Sequence, residues 1–161
     1  MIKITTYLPE HQASVVELIT TIQQIEFRVP VTLADQPDLL QIEAYYQKNK
    51  GNFWVATDDE GKVVGSIALI DNGQRFGTIR KMFVKGSHRG RAFGVAASLL
   101  AVLEQTARDN NMNALYLGTL DRLYAARAFY DKNGYQKIAE SNLPHNFPRM
   151  MVDNTFYRKT L

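Results

Sequence analysis

The period of the hydrophobic positions changes several times along the 161 residues, and each change marks an element. "IKITTYL" (2–8) alternates and is rich in β-branched residues, which predicts a strand. Pro9 then permits a helix start, and Val15, Leu18, Ile19, Ile22 and Ile25 recur at helical spacing as far as Glu26. The two prolines of "FRVPVTLADQPDLL" predict a loop that resumes as a helix near Asp38. This helix carries Leu39, Leu40, Ile42, Tyr45 and Tyr46 and stops near Gly51. The segment 52–85 reads as three consecutive strands, turned by Asp59-Glu60-Gly61 and Asn72-Gly73. A helix beginning near Gly90–Ala92 and ending about Asn110 follows, its apolar stripe formed by Phe93, Ala96, Ala97, Leu100, Leu103 and Ala107. "NALYLGTL" (113–120) is the next strand. "DRLYAARAFYDKNGY" is a short helix stopped by Asn133-Gly134. "YQKIAE", a proline-bearing loop and the strand "NTFYRKTL" close the chain. The order β-α-α-β-β-β-α-β-α-β-β predicts an α/β protein, a mixed sheet with helices on its faces.

Composition narrows the chemistry. The length suits one domain spanning 1–161. Nineteen Lys and Arg against sixteen Asp and Glu give a net charge of +3, which suits an anionic small molecule and gives no argument for nucleic acid. With no cysteine, disulfides, a thiol nucleophile and zinc–thiolate sites are excluded. The three histidines (His11, His88 and His145) lack the close helical spacing of a metal pair, so no metal is expected. The first residues lack the apolar core of a signal peptide, and no apolar run reaches the roughly 18 residues that span a bilayer. The expected location is the cytoplasm, with no membrane partner.

"VKGSHRGRAFGVAASLL" (84–100) concentrates candidate chemistry. A helix entry leaves backbone N–H groups unpaired and carries partial positive charge, here surrounded by Lys85, His88, Arg89 and Arg91. The charges alone equally fit a solvated basic loop capping an amphipathic helix; Gly94 and Ala96, small enough for a ligand to approach the backbone, tilt the reading toward a pyrophosphate cradle. The Gly-Lys-Ser/Thr of a P-loop is missing, and the helix follows a meander where a dinucleotide fingerprint would follow the first strand.

On these residues the chain resembles the GNAT superfamily of N-acetyltransferases. Arg91-Ala92-Phe93-Gly94-Val95-Ala96 matches its Arg/Gln-x-x-Gly-x-Gly/Ala signature. "IRKMFVKGSHRG" precedes it as the family's fourth strand does, and "AARAFYDKNGYQKI" follows like the family's Ala-x-x-Phe-Tyr-x-x-x-Gly-Phe segment. The tail "LPHNFPRMMVDNTFYRKTL" resembles an uncharacterised bacterial subgroup. The resemblance implies about seven strands with a splay between the fourth and fifth, where acetyl-coenzyme A lies. Main-chain groups of Met82, Phe83 and Val84 would pair with the pantetheine arm. The N–H groups of Arg91, Ala92, Phe93, Gly94, Val95 and Ala96 would hold the pyrophosphate, assisted by Arg89. A homodimer, through the C-terminal strand, is a family-level expectation.

The implied reaction is N-acetyl transfer to a primary amine of a small molecule or an exposed protein amine, by direct attack in a ternary complex. An ammonium must lose a proton, the carbonyl oxygen needs a donor, and the departing thiolate needs an acid. The resemblance assigns the acid to Tyr130 and the oxyanion donor to the backbone near Phe83. Tyr124 and Tyr135 read as packing residues. Many members carry a glutamate in the fourth strand where Thr78 stands here, so Glu26 is the candidate substitute base, acting directly or through water, against its reading as a solvated helix-end carboxylate. Leu123 stands where many have an asparagine that contacts pantetheine. On the acceptor side, Asp35, Gln36 and Asp38 are candidates to pair an ammonium. Phe27 is a wall, and Arg80 would favour a carboxylate-bearing acceptor. The competing reading is a non-catalytic coenzyme A-binding regulatory module.

Overall fold

A computed structural model describes all residues, 1–161. Seven strands form one sheet in the order β1-β2-β3-β4-β5-β7-β6. They are β1 (Lys3–Thr6), β2 (Asn52–Thr57), β3 (Val63–Asp71), β4 (Phe76–Val84), β5 (Ala114–Thr119), β6 (Gln136–Ile138) and β7 (Thr155–Thr160). Every pairing is antiparallel except β4 with β5. Helices α1 (Gln12–Thr20) and α2 (Ile42–Tyr46) cover one face, and α3 (Val95–Asp109) and α4 (Tyr124–Lys132) cover the other.

Alternation along the strands divides the core in two. Phe53, Val55, Val63 and Ala68 meet Val15, Ile19, Leu39 and Ile42 on the first face. Trp54, Ala56, Val64, Ile67 and Leu69 meet Val95, Leu99, Leu100 and Leu103 on the second. Glu104 of α3 is buried there because its carboxylate accepts from Tyr135 Oη at 2.6 Å and from Lys159 Nζ at 2.9 Å.

The predicted elements form in the predicted order, and three details differ. The first helix widens into a π turn over Thr21–Glu26, in which Phe27 N–H donates to Ile22 O. The wider turn breaks the 3.6-residue phase, so Ile25 is exposed and Gln23 is buried. The second helix is a 3₁₀ turn over Pro37–Leu40 followed by the five-residue α2, interrupted at Gln41 (φ −143°). Here Gln36 and Asp38 turn inward toward polar partners, and the chain gives up helical geometry to present them. The α3 helix begins at Val95, later than the start expected at Gly90–Ala92, because Gly94 adopts a left-handed conformation (φ 63°). Phe93 and Ala97, expected on its buried stripe, are therefore exposed, and Val95 and Leu99 take their place.

Both edges of the C-terminal strand are occupied, by β5 and β6, so β7 offers no free edge for the expected dimer contact. No helix is long and apolar enough to cross a membrane.

Leu103 has no exposed surface and sits where α3 meets the sheet. Leu103→Ala should cost about 2–5 kcal/mol, read as a lower midpoint in chemical denaturation.

Candidate active site

Strands β4 and β5 pair only at Phe76–Thr78 with Ala114–Tyr116. Beyond Thr78 they part, because β5 continues along β7 while β4 stays with β3. Two adjoining cavities occupy the gap, of about 510 Å3 and about 140 Å3. Met82 and Phe83 of β4, Leu123, Ala126 and Tyr130 from the α4 side, and Gln23 and Val29 from the α1 side line both.

The larger cavity is walled mainly by apolar side chains and reaches Val84, Arg89, Gly90 and Ala96 at the entry of α3. Between β4 and α3 the chain turns at Gly90 (φ 102°) and again at Gly94. The N–H groups of Arg91, Ala92, Val95 and Ala96 donate to no acceptor within the chain. Nothing lies within 4 Å of where a Cβ on Gly90 or Gly94 would stand. The loop thus offers unpaired donors beside open space, the geometry an anion requires. Arg89 holds the loop in place: its Nε donates to Val84 O at 2.8 Å, its guanidinium forms a two-pronged pair with Glu26, and it lies 5.4 Å from the Phe27 ring centre.

The smaller cavity is charged. At this point β4 carries a bulge: Ser66 faces Phe83 and Ala68 faces Arg80, so two residues, Lys81 and Met82, share the place opposite Ile67. Lys81 takes φ 53°, and Ser66 Oγ donates to its carbonyl at 2.7 Å. The extra residue turns Lys81 to the same side as Arg80. Its buried ammonium donates to Gln36 Oε1 at 2.5 Å and lies 3.6 Å from Asp38, whose carboxylate also accepts from Tyr46 Oη at 2.5 Å. Burial lowers Lys81 to about 8, against the pull of Asp38. Arg80 is placed differently. Its Nη1 reaches Pro148 O at 3.5 Å, and its buried Nε has no partner. Burial opposes its charge, while Tyr46, Asp38 and Tyr45 nearby favour it.

Asp153, in the turn before β7, faces the same cavity. The one hydrogen bond its carboxylate receives within the chain comes from Met150 N–H at 3.3 Å. Burial raises its carboxyl to about 6, opposed by Met150 N–H and by Arg80, Arg149 and Lys81. The side chain lies directly on Gly118 of β5, where a Cβ would stand 2.8 Å from Asp153 Cγ.

Tyr130 stands between the two cavities, its hydroxyl 3.6 Å from Met82 Sδ. The rings of Phe129, Tyr135 and Tyr157 lie 5.9 Å away and fix it. Burial, with the Asp153 and Tyr157 charges, pushes its phenol well above the ordinary value, so it holds its proton at neutral pH.

Of the residues singled out from the sequence, Met82, Phe83, Val84, Arg89, Ala96, Phe27 and Tyr130 meet at the larger cavity and Arg80 at the smaller. Arg91, Ala92, Phe93 and Gly94 lie in the adjoining turn, and the Val95 side chain is buried in the core. Asp35, Gln36, Asp38 and Glu26, singled out from the sequence, line neither cavity. Asp35 is exposed and caps its own turn, accepting from Thr32 N–H and Oγ1 at 3.0 Å. Gln36 and Asp38 are spent on Lys81, Gln23 and Tyr46, and line neither cavity. Glu26 lines neither cavity and is committed to Arg89. Thr78 is buried and donates to Asn72 Oδ1 at 2.6 Å.

Lys81, Gly118 and Asp153 escape sequence reasoning. A lysine inside a strand reads as solvent-facing until the bulge is known, and an aspartate before a strand reads as a turn residue. No group of three or more His, Asp or Glu side chains gathers as a metal site.

Known proteins share this fold. Residues 16–135 match the acetyltransferase (GNAT) family. The chain superposes on the crystal structure of a GNAT-family acetyltransferase from Staphylococcus aureus with a TM-score of 0.96 at 34% identity, covering 99% of each chain. An acetyltransferase from Streptococcus agalactiae gives 0.93 at 31% identity, over 99% of this chain and 98% of that one. Among curated relatives, the N-acetylaspartate synthetase of Xenopus tropicalis is 30% identical over 125 residues, 75% of this chain and 45% of its own length. The chain therefore spans less than half the length of that relative. The family match over well more than half of the residues, together with the shared fold, shows that the chain belongs to the GNAT family of acetyltransferases.

Proposed function

We propose that the protein moves an acetyl group from acetyl-coenzyme A to the primary amine of a small molecule, by direct attack with both substrates bound. The observation that carries this reading is the position of Tyr130, at the meeting of a long apolar cavity and a small charged one. The larger cavity suits the pantetheine arm, and the N–H groups at the entry of α3 suit the pyrophosphate. Glu26 keeps Arg89 beside that entry. The relative from Xenopus is named for an N-acetylated product, which supports nitrogen as the acceptor atom. The narrowness of the second cavity favours a small molecule over a protein amine.

Each group has one task in this reading. The β4 backbone near Phe83 supplies a donor to the carbonyl oxygen as charge develops. The amine nitrogen bonds to the carbonyl carbon, and the carbon–sulfur bond breaks with its electron pair on sulfur. Tyr130 gives its proton to that sulfur. A phenol raised by burial is fully protonated at neutral pH, so its proton is in place when the sulfur departs.

Tyr130→Phe should lower kcat by about 10²–10⁴-fold while coenzyme A still binds. Release of the coenzyme thiol is a clean readout, since the chain has no cysteine to react with a thiol reagent. Coenzyme A binding without thiol release from acetyl-coenzyme A in the presence of any amine would favour a regulatory module instead. Gly94→Val forces a β-branched residue into a left-handed conformation, at a cost of roughly 1–2 kcal/mol if the loop keeps its shape. Calorimetry should then show coenzyme A affinity about tenfold weaker.

A further inference from the structure

We propose that the smaller cavity receives the zwitterionic head of a free amino acid, its carboxylate on the Arg80 guanidinium and its ammonium on Asp153, which takes the first proton. This inference rests on the acetyl-transfer reading above and names the class of acceptor.

The cavity offers two opposite charges that the chain itself leaves incomplete. Arg80 has five N–H donors in a fixed fork; Nη1 reaches Pro148 O at 3.5 Å, the Tyr45 side chain lies beside the guanidinium, and Nε is buried without a partner. A buried N–H left unpaired is costly, and a carboxylate presented edge-on to the half-buried guanidinium satisfies it in two bonds. The carboxylates nearby do not fill the role. Asp38 belongs to Tyr46 and Lys81, and Asp153 forms no ion pair with Arg80 within 4.0 Å.

Asp153 is the matching anion. One backbone N–H satisfies part of its capacity, and the rest faces the cavity. Gly118 makes this reach possible, since any side chain on that β5 residue would occupy the space of the carboxylate. The groups acting on Asp153 are Arg80 and Lys81 from β4, Arg149 from its own loop, and Tyr130 from α4. Lys81 is already bound to Gln36 and does not compete for the ligand. With burial holding Asp153 near 6, it is ionised at neutral pH and still basic enough to accept a proton.

Size and charge together select the ligand. The cavity, about 140 Å3 against about 510 Å3 for its neighbour, has room for an amino-carboxylate head. A polyamine would bring a second cation against Arg80, and an amino sugar would leave the guanidinium unpaired. Protons and electron pairs balance across the reaction. The ammonium gives one proton to Asp153, which later passes it to solvent. The freed amine bonds to the thioester carbon, and the thiolate leaves with the proton of Tyr130. The second nitrogen proton restores the phenol as the amide forms.

The test is thiol release from acetyl-coenzyme A with free amino acids, their amides and simple diamines, beside calorimetry of coenzyme A binding. Free amino acids should be used at least tenfold better in kcat/KM than the matching amides, a comparison that needs no variant. Arg80→Met should erase that preference through KM. Asp153→Asn should lower kcat by about 10²-fold and remove a limb that rises with pH through about 6, where the carboxylate loses its proton. Turnover of amines with no preference for a carboxylate overturns this inference and leaves the acetyl-transfer reading standing. Failure to bind coenzyme A overturns both.

Discussion

The site is arranged around one constraint, the buried ammonium of Lys81. Strict alternation along β4 would send this side chain into the apolar core under α3, where a cation has no partner. The bulge turns it to the opposite face, and Gln36 and Asp38 meet it there. A non-glycine residue in a left-handed conformation costs about 1–3 kcal/mol, and such strain persists only where the surroundings enforce it. Here the Ser66 hydroxyl on the Lys81 carbonyl and the bonds to its ammonium do so. Several features follow from that single turn. Gln36 and Asp38 face inward, the second helix is cut short, and Arg80 stands at the cavity with its Nε unpartnered.

The two cavities divide the chemistry by polarity. The larger is lined mostly by apolar side chains and ends in backbone N–H groups without an acceptor in the chain. The smaller carries the charged groups Arg80, Lys81 and Asp153. Tyr130 belongs to both, and its stacked neighbours keep its hydroxyl on the boundary. A proton donor buried at such a boundary is shielded from bulk water on the side where sulfur would lie.

The half of the site built from local sequence is legible in the residues alone. The strand, glycine turn and helix of 84–100 are contiguous, and their small residues declare the close approach of a ligand. Tyr130 is legible through its neighbours in "AFYDKNGY". The charged half, lined by Arg80, Lys81 and Asp153, is not, for reasons of geometry. Asp153 reaches the cavity only because β7 inserts between β5 and β6, a pairing no local pattern announces. Lys81 acquires its partners through a one-residue bulge, which periodicity cannot register. Glu26 and Asp38 draw attention as carboxylates near the cleft. Their partners Arg89 and Lys81 are 63 and 43 positions away in sequence, so their commitments are tertiary.

The brief contact between β4 and β5 has a mechanical meaning. Three residue pairs at one end join a four-strand leaf to a three-strand leaf, and the rest of the seam lacks rungs. A ligand lying along the seam would supply rungs the chain omits and would act as a structural member as well as a reactant. The leaves would then share their stiffness with whatever lies between them, and its departure would loosen the joint that it had braced.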